Sequence, residues 1–142
     1  MPNSKVVPEL YCSDFPKSLQ FYTKILGFEI SYARLNERFA FLEREGAEIM
    51  IEQPTDPSRA FIASELIHPY GRGMNLQILV SNVETLYSAV RSANCPIHLP
   101  IEEKWYRANE VELGQRQFVV SDPDGYMLRF AQKLGSRQIE LS

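Results

Sequence analysis

Polar side chains that could bind a ligand recur on the strands expected at the start and end of each half of the chain. Successive residues of a strand point to opposite faces of a sheet. Alternation then gathers one polar set on the faces turned away from the helices, namely Glu9, Glu52, Asn75, Gln77 and Arg129. Unpaired buried polar groups cost about 1–3 kcal/mol each. The set therefore forms an internal network, in which Arg129 pairs with Glu9 or Glu52, or a polar pocket, and the two interpretations are compatible.

The residue types that serve as nucleophiles or soft metal ligands are sparse in the sequence. The chain has two histidines, His68 and His98, and two cysteines, Cys12 and Cys95. No Ser/His/Asp or Cys/His combination and no phosphate-binding glycine loop is recognisable. The cysteines occupy positions typical of small buried apolar residues. We therefore expect no catalytic residue and no cofactor.

An internal repeat organises the elements that must position the polar set. Val7–Leu26 and Asn75–Asn94 share one pattern of strand and capped amphipathic helix, with Asp14 and Asn82 at the two helix starts. The ends of the halves also match, because Phe39–Ile51 resembles Phe118–Phe130. Extra residues separate the helix of the second half from its last hairpin. Two like modules are predicted.

The first module reads as β-α-β-β-β over residues 5–53. The predicted strands are Val6–Cys12, Phe28–Ala33, Arg38–Glu43 and Ala47–Gln53, with a helix from Asp14 to Gly27. Residues 54–71 form a linker in which Phe61–Ile67 is compatible with a short helix. The second module, 72–133, is predicted to contain a long strand, a mobile loop and a closing hairpin: Ile97–Tyr106, Arg107–Gly114, and Arg116–Ser121 with Tyr126–Gln132. Residues 134–142 are expected to form a tail.

Length, composition and charge limit the class of protein. A chain of 142 residues with 44% hydrophobic and 23% charged residues is typical of one globular domain. The net charge of −3 and the lack of a Lys/Arg cluster argue against a nucleic-acid partner. No stretch is long and apolar enough to be a membrane helix or a signal peptide. We expect a cytoplasmic protein.

Two longer motifs resemble a known superfamily. The segment Asp14–Phe28 is similar to the first helix of the vicinal-oxygen-chelate superfamily, which includes glyoxalase I, extradiol dioxygenases and bleomycin-resistance proteins. Gly114–Gly125 resembles its closing hairpin in the form typical of bleomycin-resistance proteins. The resemblance implies an α+β fold of two βαβββ modules that form a curved, barrel-like mixed sheet with a cleft.

The resemblance also provides a test for metal binding. Metalloenzymes of the superfamily take His, Glu or Gln ligands from the first and last strands of each module. The matching positions here are Val7, Met50, Asn75 and Arg129, a set that is unsuited to a divalent cation. A register shift would instead offer Glu9, Glu52, Gln77 and Ala131, without a histidine. We expect no metal.

The drug-binding branch of the superfamily sequesters bleomycin-type glycopeptides at dimer-interface clefts without turnover. Tyr32 and Phe39 fall where that branch has aromatic contacts, and Trp105 and Tyr106 could add a stacking platform. The branch's tryptophans near Gln77 and Gly114 are missing. We predict a homodimeric protein, without cofactor, that binds a planar and cationic antibiotic-like ligand. The alternatives are a metal-dependent lyase, isomerase or dioxygenase with the shifted ligand set, and a binding module for another planar metabolite.

Overall fold

The fold consists of two compact units, each built around a four-stranded mixed sheet. A computed structural model describes residues 3–139. Among these residues, one unit comprises residues 3–72 with Asp122–Tyr126, and the other comprises Gly73–Ser121 with residues 127–139. The strand orders are β1-β4-β3-β2 and β5-β8-β7-β6. The prediction of two βαβββ modules is confirmed, but their strands form two separate sheets and do not close into a barrel.

The first unit contains one helix packed on one face of its sheet. Its strands are β1 (Glu9–Tyr11), β2 (Glu29–Arg34), β3 (Phe39–Arg44) and β4 (Ala47–Glu52). Helix α1 (Phe15–Gln20) continues into a π-helical turn, Phe21–Ile25. The apolar side chains that meet between this helix and the sheet are fully or almost fully buried: Leu10, Phe21, Tyr22, Leu26, Ala40, Leu42, Ile49 and Ile51.

The second unit repeats this arrangement with longer strands. Strand β5 (Asn75–Leu79) is followed by helix α2 (Val83–Ser92). Three antiparallel strands complete the sheet: β6 (Ile97–Ala108), β7 (Val111–Ser121) and β8 (Met127–Gln138), with β8 also parallel to β5. No helix among residues 3–139 has the length and hydropathy needed to span a membrane.

The two helices begin in the same way, which explains the sequence repeat physically. Asp14 accepts a hydrogen bond from the Lys17 backbone N–H, and Asn82 accepts one from Thr85. In addition, a glutamine side-chain oxygen near the end of each module accepts from the first helical N–H: Gln53 from Phe15 and Gln132 from Val83. Two of the otherwise unpaired N–H groups are thus satisfied at each helix start.

The structure corrects the prediction of a mobile loop at Arg107–Gly114. Strands β6 and β7 stay paired as far as Ala108 and Val111, and the chain reverses over Asn109 and Glu110. Asn109 has φ of 59°, a left-handed conformation that asparagine tolerates and that two-residue hairpin turns require. The extra residues of the second half therefore lengthen a hairpin.

Two further segments differ from the sequence prediction. Strand β8 runs to Gln138, where it pairs with Val111, so most of the segment expected to be a tail is strand; residues 140–142 lie outside the described residues. The linker forms a single 3₁₀ turn at Pro57–Arg59, begun by the Asp56 side chain, and Phe61–Ile67 is not helical.

The turn Asp122–Tyr126, which joins β7 to β8, belongs to the first unit and is held by buried hydrogen bonds there. The Tyr22 hydroxyl donates to Asp122 at 2.7 Å, and the Tyr126 hydroxyl donates to the carbonyl of Tyr11 at 2.9 Å. Asp122 also accepts from the backbone of Asp124 and Tyr126. Burial raises the pKa of Asp122, although these donors oppose the shift.

Replacing Tyr22 by Phe should destabilise the protein because Asp122 loses its side-chain donor inside the core. We expect a decrease of about 1–3 kcal/mol in the free energy of unfolding, measured by urea denaturation. Tyr87→Phe is the matched control, since the Tyr87 hydroxyl takes no part in the hydrogen bonds found among the described residues. Equal effects of the two substitutions would contradict this reading of the turn.

Candidate functional site

The sheet face opposite α1 in the first unit gathers four of the predicted site residues. Parallel pairing sets Tyr11 opposite Glu52 and Glu9 opposite Met50. Antiparallel pairing sets Phe39 opposite Glu52 and, on the next strand, Tyr32 opposite Phe41. Directly paired residues share a face of the sheet, so Glu9, Glu52, Phe39 and Tyr32 all lie on this face.

A cavity of about 390 Å³ opens on this face. Its floor is the sheet, and its wall is the first part of the linker. The Tyr11 hydroxyl accepts a hydrogen bond from the Phe61 backbone N–H at 2.9 Å, which ties that wall to β1. The lining residues are Glu9, Arg34, Glu37, Phe39, Glu52, Pro54, Thr55, Asp56, Arg59, Ala60 and Phe61.

The cavity has an excess of negative charge. Its lining has four carboxylates and two guanidinium groups. Burial raises the pKa of Glu52, and the neighbouring Glu9 charge raises it further against the opposing effect of Arg34. Hydrogen bonds from Ser58 lower the pKa of Asp56. The ionised form of Glu52 is therefore disfavoured beside Glu9, and a cation bound next to the two carboxylates would stabilise it.

Aromatic rings form the apolar part of the same face. Tyr32 stacks on Phe41 with centroids 5.1 Å apart and 15° between the planes. Phe39 lies 6.0 Å from Tyr32 and is only 3% exposed. The guanidinium of Arg34 lies over the Phe39 ring, 4.0 Å from its centroid, and its Nε is 2.6 Å from the Glu37 carboxylate.

Three of the predicted residues of the second unit, Asn75, Gln77 and Arg129, lie on the sheet face opposite α2. Gln77 pairs with Arg129 across β5 and β8, and Asn75 lies one pair further along. The Gln77 oxygen accepts from Gln115. The Nε of Arg129 is buried and has no hydrogen-bond partner among the described residues.

Gln117 is the centre of a polar network on that face of the second unit. It accepts a hydrogen bond from Gln115 at 2.7 Å. Its amide nitrogen donates to Glu102 at 2.8 Å and to the Tyr106 hydroxyl at 2.5 Å. Gln117 is 2% exposed. Most of the hydrogen-bonding capacity of these amides is therefore used internally.

Trp105 and Tyr106 do not form one stacking platform, because adjacent strand residues point to opposite faces. The indole of Trp105 donates to Glu103 at 3.0 Å and contacts the guanidinium of Arg137, 4.1 Å from the ring. It also lies directly over Gly114, where a Cβ atom would come within 2.6 Å of the ring. Gly114 is thus required by the packing of Trp105.

Sequence reasoning did not identify the residues that complete the cavity: Arg34, Glu37, Asp56, Arg59 and Phe61. Strand alternation from Tyr32 gives a usable signal for Arg34, since it places both residues on one face. The linker residues have no periodic signal. They reach the cavity because the chain after β4 folds back over the sheet, and this path depends on long-range contacts.

The comparisons with known proteins establish the family. The model of the Glyoxalase/Bleomycin resistance protein/Dioxygenase superfamily matches residues 6–130. The chain belongs to this superfamily. No match was found among curated proteins.

Solved structures include several similar proteins. A glyoxalase/bleomycin resistance protein/dioxygenase superfamily member from Vibrio splendidus 12B01 is 38% identical, over 90% of this chain and 97% of that one, with a TM-score of 0.42. TioX from Micromonospora sp. ML1 is 20% identical over 92% and 100%, with a TM-score of 0.71. A protein of unknown function from Agrobacterium tumefaciens str. C58 is 23% identical over 94% and 97%, with a TM-score of 0.68.

The residues at the ligand positions of the superfamily's metalloenzymes do not fit a divalent metal. Valine and methionine side chains at positions 7 and 50 provide no hard donor, and Arg129 brings a positive charge. The shifted set ends in Ala131, which has no donor atom. Among residues 3–139, no three His, Cys, Asp or Glu side chains are grouped so that they could hold a metal ion.

We predict that the protein purifies without a tightly bound transition metal and that its melting temperature is unchanged in EDTA. A bound metal would stabilise the folded state by mass action. Elemental analysis of the purified protein and a thermal melt in chelator provide the measurements. A melting temperature that falls by several degrees, and is restored by one metal, would contradict the prediction.

Glu52→Gln should raise the melting temperature of the free protein at pH 7. Because the pKa of Glu52 is raised in the folded state, protonated Glu52 favours folding and ionised Glu52 disfavours it. The stabilising contribution of the protonated form is complete below the ordinary pKa of 4.5 and is lost as the pH rises through the folded pKa. The gain should shrink as the pH falls toward 4. Glu29→Gln, on an exposed part of β2, is the control for removing one carboxylate from the first unit, and an equal rise in melting temperature at pH 7 would sink the assignment.

Proposed function

We propose that the protein binds a planar, cationic small molecule in the cavity of the first unit and does not turn it over. Bleomycin-type glycopeptide antibiotics are the leading candidates, and another planar cationic metabolite is the alternative ligand. The observation that carries the proposal is the combination, in one cavity, of aromatic rings with an excess of carboxylates.

The charge of the cavity supports a cationic ligand. Four carboxylates against two guanidinium groups leave a net negative lining. Glu52 and Glu9 repel each other in a partly buried position, and a ligand cation would relieve this repulsion. Partly buried charges are screened less by salt than exposed ones, so the attraction acts at physiological ionic strength.

The aromatic residues support a flat ligand. Phe39 and Phe61 line the cavity, and the half-exposed Tyr32, stacked on the buried Phe41, extends the aromatic surface along the same sheet face. Stacking on such rings contributes about 0.5–1.5 kcal/mol per pair beyond area burial, and a cation over a ring adds a similar amount. A flat cation would use both features together.

Binding without chemistry is favoured over the enzymatic alternative by the donor chemistry of the site. The shifted set Glu9, Glu52, Gln77 and Ala131 has a residue without a donor atom. The proposal includes a cytoplasmic homodimer with a role in sequestering a toxic compound. The dimer and the sequestering role rest on the resemblance of the closing hairpin to that of drug-binding members.

Calorimetric titration with metal-free bleomycin tests the proposal. We expect binding that weakens as salt rises and as the pH falls toward the raised pKa of Glu52, because protonation removes the partner of the cation. Glu52→Gln should weaken binding roughly three- to tenfold, and Phe39→Leu, which keeps most of the volume but removes the ring, should also weaken it.

The control variant is Glu29→Gln, which removes the same charge from the first unit outside the cavity lining. It should leave the dissociation constant within about twofold. Absence of bleomycin binding at millimolar drug, with binding of another flat cation, would remove the antibiotic from the proposal. Equal binding of neutral and cationic flat compounds, with no effect of Glu52→Gln, would reject the proposal altogether.

A further inference from the structure

The stacking surface on Phe39 is already occupied by a side chain of the protein. The Arg34 guanidinium lies 4.0 Å from the centroid of the ring. Phe39 is 3% exposed although it lines the cavity. A ligand that stacks on this ring must therefore first displace Arg34.

Apart from its electrostatic attraction to Glu52, the contacts that hold Arg34 in place are local. Arg34 ends β2, and Glu37 belongs to the single 3₁₀ turn that follows. Their side chains are 50% and 54% exposed. Ion pairs with this exposure contribute little to stability, and the side chain of Arg34 can rotate into solvent without moving the strand. The arrangement is thus readily reversible.

We propose that Arg34 is a displaceable internal occupant of the ligand's stacking position on Phe39, and that the Glu37 carboxylate, which loses its partner when Arg34 leaves, favours flat cations such as guanidinium or protonated heteroaromatic groups. This inference rests on the proposed binding function and specifies its ligand. A ligand of this kind makes both contacts that Arg34 loses. Its flat face stacks on the Phe39 ring, and its positive charge pairs with the Glu37 carboxylate.

Other ligands restore only part of the lost interactions. A neutral flat molecule covers the ring but leaves Glu37 without its cation. A tetrahedral ammonium compensates Glu37 but cannot stack face to face on Phe39. The pair Arg34–Glu37 therefore imposes a displacement cost on every ligand, and only a flat cation recovers both contacts.

The test compares Arg34→Gln with Arg59→Gln, using proflavine as a flat cation and acridone as its neutral counterpart. Arg59 also lines the cavity, but its guanidinium lies 5.6 Å from the Phe61 ring and does not cover Phe39. Each substitution removes one positive charge from the same cavity. Binding is followed by the fluorescence of the two dyes.

We expect Arg34→Gln to tighten the binding of both dyes by roughly three- to tenfold, because the ring becomes free for either of them. Arg59→Gln should tighten only proflavine, by charge alone. Equal effects of the two substitutions, an unchanged affinity of acridone in Arg34→Gln, or no binding of either dye to any variant would overturn the inference.

A second measurement follows Arg34 directly in the wild-type protein. The Nε–H signal of Arg34, assigned by its absence in Arg34→Gln, should have a ring-current shift in the free protein and lose it when proflavine is added. A signal that stays in place while the dye binds would show that Arg34 is not displaced.

The results separate this inference from the proposed function. If bleomycin does not bind but the two dyes discriminate between the variants as expected, the antibiotic assignment fails and the displacement of Arg34 stands. If bleomycin binds the wild type and Arg34→Gln equally, and the Arg34 signal does not move, the binding function stands and the displacement is wrong.

Discussion

The backbone ladder between β1 and β4 is the constraint on which the candidate site depends. The Met50 N–H donates to the carbonyl of Pro8, and the Cys12 N–H donates to that of Glu52, each at 2.9 Å. These bonds fix the register that places Tyr11 opposite Glu52. Because side chains alternate, a slip by one residue would turn the carboxylates toward α1 and the apolar residues toward the cavity. The hydrophobic contact with α1 prevents this, so the core determines the position of the acids.

Strand alternation made part of this site predictable from the sequence. Glu9, Glu52 and the two aromatic positions on β2 and β3 lie on one face, as the period of two requires. The capping residues and the internal repeat similarly predicted both helices. Alternation also explains why Trp105 and Tyr106 lie on opposite faces of the sheet, although their adjacency in the sequence suggested a single stacking platform. A local sequence pattern therefore predicts the position of a side chain reliably where strand alternation alone determines the face of the sheet on which it lies.

The remaining features depend on contacts that no local pattern encodes. The position of Arg34 over Phe39 is a rotamer choice stabilised by Glu37 and the ring. The linker forms a wall because a hydroxyl on β1 binds its backbone. The hairpin at Asn109 looked like a loop because its polar residues resemble those of irregular segments, while the cross-strand pairs that extend it are visible only in the sheet. Each of these features depends on contacts that form only when the chain has folded.

The polar side chains on the equivalent sheet face differ between the two units. In the second unit, amides and a tyrosine hydroxyl satisfy one another around the buried Gln117. Such a network stabilises its own unit and uses most of the hydrogen-bonding groups of these amides, although the Nε of Arg129 on the same face has no partner among the described residues. In the first unit, Glu52 is held near Glu9 at a cost in folding free energy, since burial and the Glu9 charge both raise the pKa of Glu52 and disfavour its ionised form. A cost of this kind is expected where a site is arranged for a partner that is absent from the free protein. The contrast between the two copies of one module is therefore consistent with the proposal that a cation binds at the first unit.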